Sequence, residues 1–253
     1  MSTQTDMSAV TPAGQECHRL ASELESARKE LEVFSYSVSH DLRAPLRAVD
    51  GFSRILVEDY ADCLDDDGRR MLGVIRSEAQ RMGRMIDALL VFSRLGRQEM
   101  IPESIDMHEM AKSVFEELAA LEPGRKLQLD LKPLPAACGS REMIRHVWEN
   151  LIGNAIKFTR GREPGVIEIG ARNNEDGVPV YSIKDNGAGF DMLLAGKIFG
   201  IFQRFHSEEE FPGIGIGLAL AQRIIHRHGG EIRADAQVGR GATFHFTLAN
   251  PTS

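Results

Sequence analysis

Apolar residues recur every three or four positions early in the chain. Leu20, Leu24, Ala27, Leu31, Phe34, Val38 and Leu42 lie 4, 3, 4, 3, 4 and 4 apart. That spacing is close to a heptad stripe, with Glu, Lys and Arg on the other faces. Pro45 interrupts it, yet Leu46, Val49, Phe52, Ile55 and Leu56 carry the pattern onward. One long helix with a kink near Pro45 is expected, because proline removes a backbone hydrogen bond and crowds the preceding turn. The acidic run from Glu58 to Asp67, followed by Gly68, ends that helix and makes a turn. Its aspartates suit the start of a second helix, where they cap free N–H groups and complement the helix dipole. That second helix carries Met71, Ile75, Ala79, Met82, Ile86, Leu89 and Phe92 and ends near Gly96. A single helical hairpin buries too little apolar surface to stand alone, and two can pair into a four-helix bundle. The stripe therefore predicts a homodimer; the alternative is a hairpin packed on the rest of its own chain.

After the hairpin the periodicity becomes mixed. Helices are expected at about 107–121, 140–159 and 215–228. Strands are expected at about 126–131, 165–172, 178–184, 230–236 and 241–248, with a long loop before the last helix. Gly177, Gly229, Gly230, Gly239 and Gly241 mark turns between strands. The fold class is thus α+β in two domains. The expected boundaries are a disordered tail at 1–15, the hairpin at 16–97, a linker at 98–104 and an α/β domain at 105–250.

Composition narrows the function. The chain has 253 residues, 42% hydrophobic and 26% charged, which is ordinary for a globular protein. Its net charge of −7 argues against a nucleic-acid binder, whose footprint would be basic. Cys17, Cys63 and Cys138 are far apart and lack metal-ligand spacing, so they read as reduced cytosolic thiols. No apolar run approaches the ~20 residues of a membrane span. Met1 to Gly14 lacks the basic and apolar regions of a signal peptide. A cytoplasmic protein is expected.

Candidate chemistry lies in both domains. Phe34-Ser-Tyr-Ser-Val-Ser-His40-Asp41-Leu-Arg-Ala-Pro45-Leu46 sets a histidine beside an acid on the first helix, off the apolar stripe and so facing solvent. In the second domain His146, Asn150, Asn154 and Lys157 follow at 4, 4 and 3, which puts them on one helix face. An amide carbonyl is a hard oxygen ligand suited to Mg²⁺, and a lysine one turn away can neutralise phosphate. By itself such a face is also what an ordinary solvated helix shows. Asp185-Asn-Gly187-Ala-Gly189-Phe190 follows a strand, so its carboxylate can accept a hydrogen bond from an exocyclic amine such as adenine N6. Gly213-Ile-Gly215-Ile-Gly217-Leu218 opens a helix, whose free N–H groups and dipole make an anion site. Between the two glycine segments lies Ile198-Phe199-Gly-Ile-Phe202-Gln-Arg204-Phe205, an aromatic anchor for a loop with a cation that can reach phosphate.

Each motif alone is weak, but their order is specific. Phosphoacceptor box, Asn box, glycine box, Phe box and second glycine box together resemble the catalytic core of a two-component sensor histidine kinase. The chain looks most like the subgroup attached to bacterial phytochromes, over roughly residues 30–248. The resemblance implies a dimerising helical hairpin followed by an α/β sandwich shared with gyrase and heat-shock chaperone ATPases. It implies ATP and Mg²⁺, autophosphorylation of His40, and transfer to an aspartate on the receiver domain of a response regulator. Asp41 would orient the His40 imidazole and take its proton. Asn154 would hold the metal, with Asn150 and Lys157 supporting metal and phosphates. Asp185 would bind adenine; Gly187, Gly189, Gly213, Gly215, Gly217 and Leu218 would shape the pocket; Arg204 would position the γ-phosphate. The signal would come from a sensor domain or a protein in trans.

Three departures from the family pattern bear on mechanism. Ile214 replaces the usual threonine between the glycines, with Pro212 before it, which predicts altered nucleotide affinity. The loop before it, Ser207 to Phe211, is short and acidic and leaves the nucleotide exposed. Ala44 stands four residues after His40, where strong phosphatases of the family carry Thr or Asn, so weak phosphatase activity is expected. A phosphotransfer or docking scaffold with an impaired ATP domain is the second reading, and a chaperone- or gyrase-type ATPase the third.

Overall fold

The computed structural model describes residues 12–95, 100–205, 207 and 210–249; for several α1 residues, His40 among them, it describes the backbone alone. The chain divides into two compact units, residues 1–97 and 98–253.

The first unit is a hairpin of α1 (Pro12–Asp59) and α2 (Asp66–Leu95), joined by a short 3₁₀ turn at Ala61–Cys63. Helix α1 begins inside the expected tail. Pro12 is its first residue, a position where the missing N–H costs nothing and the fixed φ already suits a helix. The remainder of the tail, residues 1–11, lies outside the described residues. Pro45 sits within α1, which continues on both sides of it. The acidic turn works as expected: Asp65 Oδ1 accepts the N–H of Gly68 at 2.7 Å and so caps the entry to α2. Across the hairpin, Asp50 on α1 accepts from Arg76 Nε at 3.1 Å and Gln80 Nε2 at 2.8 Å on α2. Arg43 pairs with Asp87 at 2.7 Å. Phe52, Met71, Val74, Ile75 and Met82 remain exposed on this unit, Phe52 at 68%.

Among its described residues the second unit contains three α-helices, a short 3₁₀ helix at Met192–Lys197 and a five-stranded sheet. The helices are α3 (Met107–Ala120), α4 (Arg141–Phe158) and α5 (Gly217–Arg227). The strands β2 (Leu127–Leu131), β4 (Gly165–Asn173), β5 (Pro179–Asp185), β6 (Ile232–Gln237) and β7 (Gly241–Thr247) take the order β2-β4-β5-β7-β6. β2 runs parallel to β4, and the other pairs are antiparallel. Two three-residue strands, β1 (Glu103–Ile105) and β3 (Ala137–Gly139), pair separately. Sequence pattern does not reveal them, because three residues are too few to show alternation. Glu103 and Ser104, expected in the linker, belong to β1.

Period-two alternation sends Ile167 and Ile169, Tyr181 and Ile183, and Phe244 and Phe246 to one buried face. The register sets Ile169 opposite Ile183 and Ile183 opposite Phe244. Helix α4 lies on that face, with α3 and α5 packed against it. Its Trp148 is fully buried and meets the Phe246 ring edge-on at 5.3 Å, while Tyr181 stacks on Phe246 at 5.2 Å. Each such ring contributes on the order of 2 kcal/mol by leaving water. With its apolar side fixed by this core, α4 turns Asn150, Asn154 and Lys157 the other way.

Candidate functional site

Helix α4 carries three of the candidate site residues. Asn150, Asn154 and Lys157 are all half-buried on its outer face. Asn150 Nδ2 donates to the His146 carbonyl at 2.7 Å, which fixes the amide and leaves Oδ1 pointing away from its own helix. That oxygen abuts Gly217, where any Cβ would collide with it. One turn from Lys157, Asn154 makes no side-chain hydrogen bond among the described residues. Lys157 Nζ lies 4.3 Å from the Phe158 ring centre and 3.4 Å from where a Cβ on Gly213 would stand. The face of α4 thus meets both ends of the second glycine segment.

That segment opens α5 at Gly217 with no side-chain cap. Among the described residues no side chain takes the N–H groups of its first turn, and the helix dipole favours an anion there. Leu218 is half-buried in the same turn. Gly215 has φ of 77°, and a Cβ on it would stand 2.5 Å from the Gln203 carbonyl oxygen. Its own carbonyl accepts the Phe202 N–H at 2.8 Å, so Phe box and glycine loop are stitched together. Phe202 itself holds φ of 63°, an uncommon conformation for a bulky residue. Arg204 donates to the Phe211 carbonyl at 3.3 Å, and the Phe211 ring packs 5.0 Å from Phe158.

Charge collects here. Burial, then the neighbouring Arg204 and Arg160, pulls the Lys157 ammonium down to about 8. Arg160 is ion-paired with Glu122 at 2.7 Å, and like charge nearby disfavours the Lys157 ammonium until an anion approaches it.

Asp185 closes the other side. It follows Tyr181 and Ile183 in the inward series of β5, a place alternation gives to an apolar side chain. Burial raises its carboxyl to about 6, opposed by N–H donation from Gly187 at 2.8 Å and Ala242 at 3.3 Å. Both bonds fall on Oδ1, and Oδ2 accepts no hydrogen bond among the described residues. The turn is pinned to α4 by the Ala188 N–H on the Phe158 carbonyl at 3.1 Å. Gly189, with φ of 62°, packs against the Gln237 carbonyl where no side chain fits.

Several contributors escaped sequence reasoning. Gly241 reads as a turn glycine, yet it packs on the Asp185 carbonyl, and Ala242 after it donates to the carboxylate. Arg162 carries no motif, yet it binds the carbonyls of Asn186 and Gly239. In the other unit, His40 lies on α1 and only its backbone is described; Asp41 beside it is exposed. Ala44 is exposed one turn on.

Comparison with known proteins fits both halves. Residues 30–98 match the His Kinase A (phospho-acceptor) domain. Residues 139–252 match the histidine kinase-, DNA gyrase B- and HSP90-like ATPase. The chain belongs to the histidine kinase family. Cyanobacterial phytochrome B of Nostoc sp. is 38% identical over 236 residues, covering 92% of this chain and 31% of that protein. Cyanobacterial phytochrome A of the same organism is 36% identical, over 92% of this chain and 30% of that protein. The chain thus spans about a third of the length of these relatives. Among solved structures, full-length ShkA in complex with AMPPNP is 27% identical with a TM-score of 0.58, covering 85% of this chain and 45% of that one. Helical hairpin and α/β ATPase domain are the fold these histidine kinases share with it. No helix among the described residues is long and apolar enough to cross a membrane.

Proposed function

We propose that this histidine kinase core binds ATP with Mg²⁺, phosphorylates His40 and passes the phosphoryl group to an aspartate of a response-regulator receiver domain. One observation carries the reading. Two glycine segments converge on the Asn150–Lys157 face of α4, beside a buried carboxylate, in a chain that also has a phosphoacceptor helix.

Asp185 Oδ2 accepts the adenine amine, and Gly187 and Gly189 let the base approach the turn. The open first turn of α5, from Gly217 and Leu218, takes phosphate oxygens together with Gly213 and Gly215. Lys157 and Arg204 neutralise the terminal phosphates. The half-buried Asn154 amide, which carries no hydrogen bond among the described residues, fits a hard cation shared with phosphate. Mg²⁺ keeps several waters and takes phosphate oxygens, so one amide oxygen from the protein suffices beside the nucleotide. Mg²⁺ bound there supplies charge neutralisation on the phosphates. Asp41 holds the His40 imidazole and receives its proton as the opposite nitrogen bonds to phosphorus and ADP departs. Positioning and charge, rather than covalent chemistry by the α/β unit, account for the rate.

The exposed apolar face of the hairpin joins a second copy in a four-helix bundle, and the protein works in the cytoplasm on input from a sensor domain or a partner in trans. With Ala44 after His40, phosphatase activity towards the regulator is weak, and Ala44→Thr raises it.

Incubation with γ-labelled ATP and Mg²⁺ tests the assignment. Wild type acquires acid-labile, alkali-stable label; His40→Gln binds ATP but takes no label; Asn154→Ala loses label and Mg²⁺-dependent affinity. Absence of label on folded, dimeric wild type would turn the reading to a docking scaffold with an impaired ATP domain.

A further inference from the structure

We propose that Arg162, in the turn after α4, is a positioning residue for nucleotide recognition that sets the carboxylate of Asp185 through two backbone turns. The inference rests on the reading of Asp185 as the adenine acceptor.

The geometry is that of a single peptide plane. Arg162 Nε donates to the Asn186 carbonyl at 3.0 Å. The same peptide carries the Gly187 N–H, which points the other way and donates to Asp185 Oδ1 at 2.8 Å. A guanidinium on one end therefore fixes the donor on the other and polarises it, since hydrogen bonds along a chain strengthen one another. The second arm of the fork, Nη2, donates to the Gly239 carbonyl in the turn between β6 and β7. That turn is bound back to the glycine box by the Gly239 N–H on the Ala188 carbonyl at 2.6 Å. It also leads into Gly241 and Ala242, the source of the second N–H on Asp185. One side chain thus spans both segments that aim donors at the carboxylate.

Arg162 is itself anchored, its N–H donating to the Thr159 carbonyl at 2.9 Å. Asn186 adds a local brace. Its Oδ1 accepts the Val166 N–H at 2.9 Å and its Nδ2 donates to the Pro164 carbonyl at 3.1 Å. Burial raises the Asp185 carboxyl, and the N–H groups of Gly187 and Ala242 oppose that rise. Arg162 is exposed and carries no other assigned role. A planar fork suits two carbonyls on separate turns, whereas a lysine reaches one.

The test is ATP–Mg²⁺ affinity of the full chain by calorimetry from pH 5 to 8, for wild type, Arg162→Ala, Arg162→Lys, Asp185→Asn and the double variant Arg162→Ala/Asp185→Asn. Thermal unfolding is read on each. Arg162→Ala is expected to weaken ATP about tenfold at pH 7 with autophosphorylation at saturating ATP unchanged. Its acid limb of affinity moves to higher pH, because the ionised carboxylate has lost an aligned donor. Arg162→Lys falls between, and carries the test if the alanine variant does not fold. In the Asp185→Asn background, loss of Arg162 costs less than about twofold. An equal loss in both backgrounds, or an unmoved acid limb, overturns the proposal and leaves Arg162 a structural brace. Unchanged ATP affinity in Asp185→Asn would instead overturn the adenine assignment on which the proposal stands.

Discussion

The two units handle apolar surface in opposite ways. In the α/β unit, alternation on β4, β5 and β7 meets the buried face of α4, and Trp148, Tyr181 and Phe246 close a core within the chain. In the hairpin, Ala79 and Leu90 are the hydrophobic residues that reach full burial among the described residues, while Phe52, Met71 and Val74 stay more than half exposed. A strand pattern of period two is satisfied by the neighbouring strands and the helix above them. A heptad stripe on a two-helix hairpin needs a surface that the hairpin does not contain. One unit closes its core within the chain, and the other leaves apolar side chains exposed.

The contrast is broken most strongly at Phe52. Phe52→Glu places a carboxylate on the apolar face, and in a two-fold dimer the change enters twice. At about 2 kcal/mol per copy for an unpaired polar group, the dimer dissociation constant should rise about a thousandfold. Sedimentation across a dilution series reads it. ATP affinity should hold, because the α/β core is closed without the hairpin. A variant that stays dimeric at wild-type concentrations would mean that the exposed stripe has another use.

Gly215→Ala strikes the other unit. The residue holds φ of 77°, and its new Cβ would stand 2.5 Å from a backbone oxygen that cannot move aside. Left-handed strain and overpacking together cost about 3 kcal/mol, so ATP affinity should fall about a hundredfold. The hairpin should remain dimeric. Retained ATP affinity would remove the second glycine segment from the phosphate site.

Much of this was legible beforehand, for physical reasons that differ by region. Long elements with a strong period, such as α1, α2 and α4, announce themselves because a face must be buried along their length. The buried Asp185 was legible as a carboxylate at a strand end, and Asn150, Asn154 and Lys157 as one helix face. The strands β1 and β3 were not, since three residues hold no period. Neither was Arg162, whose two bonds go to carbonyls and leave no trace in side-chain pattern. Gly241 showed as a turn, but its approach to the Asp185 carbonyl depends on β5 pairing with β7 across the sheet. Contacts between backbone groups distant in sequence are where pattern reasoning stops.

A smaller effect comes from titration within the α/β unit. Asp185, raised to about 6, must be ionised to accept the adenine amine well, so ATP affinity falls as pH drops through that value. Lys157, lowered to about 8, loses its charge above that value, and binding the triphosphate then requires proton uptake. Affinity should be greatest between about 6 and 8 and fall up to about tenfold per pH unit outside that window. Calorimetry in buffers of different ionisation enthalpy would show proton uptake on the alkaline side. Asp185→Asn should flatten the acid limb and Lys157→Met the alkaline one. A limb that survives its own substitution belongs to another group.

The slightest perturbation expected is Asp50→Ala in the hairpin. The carboxylate bridges two α2 side chains, Arg76 at 3.1 Å and Gln80 at 2.8 Å, with about a third of its surface exposed. A partly exposed pair of this kind is screened, and ordering long side chains opposes it, so the loss should be about 0.5–1 kcal/mol. Chemical unfolding reads the change. A cycle with Arg76→Ala should show that most of it is shared between those two residues. The Arg43–Asp87 pair, with Asp87 63% exposed, should give less. ATP affinity should not respond to either. A loss of several kcal/mol at Asp50 would instead mean that polar bridges, and not the apolar stripe, hold α1 and α2 together. Apolar packing would then hold the α/β unit together but not the hairpin.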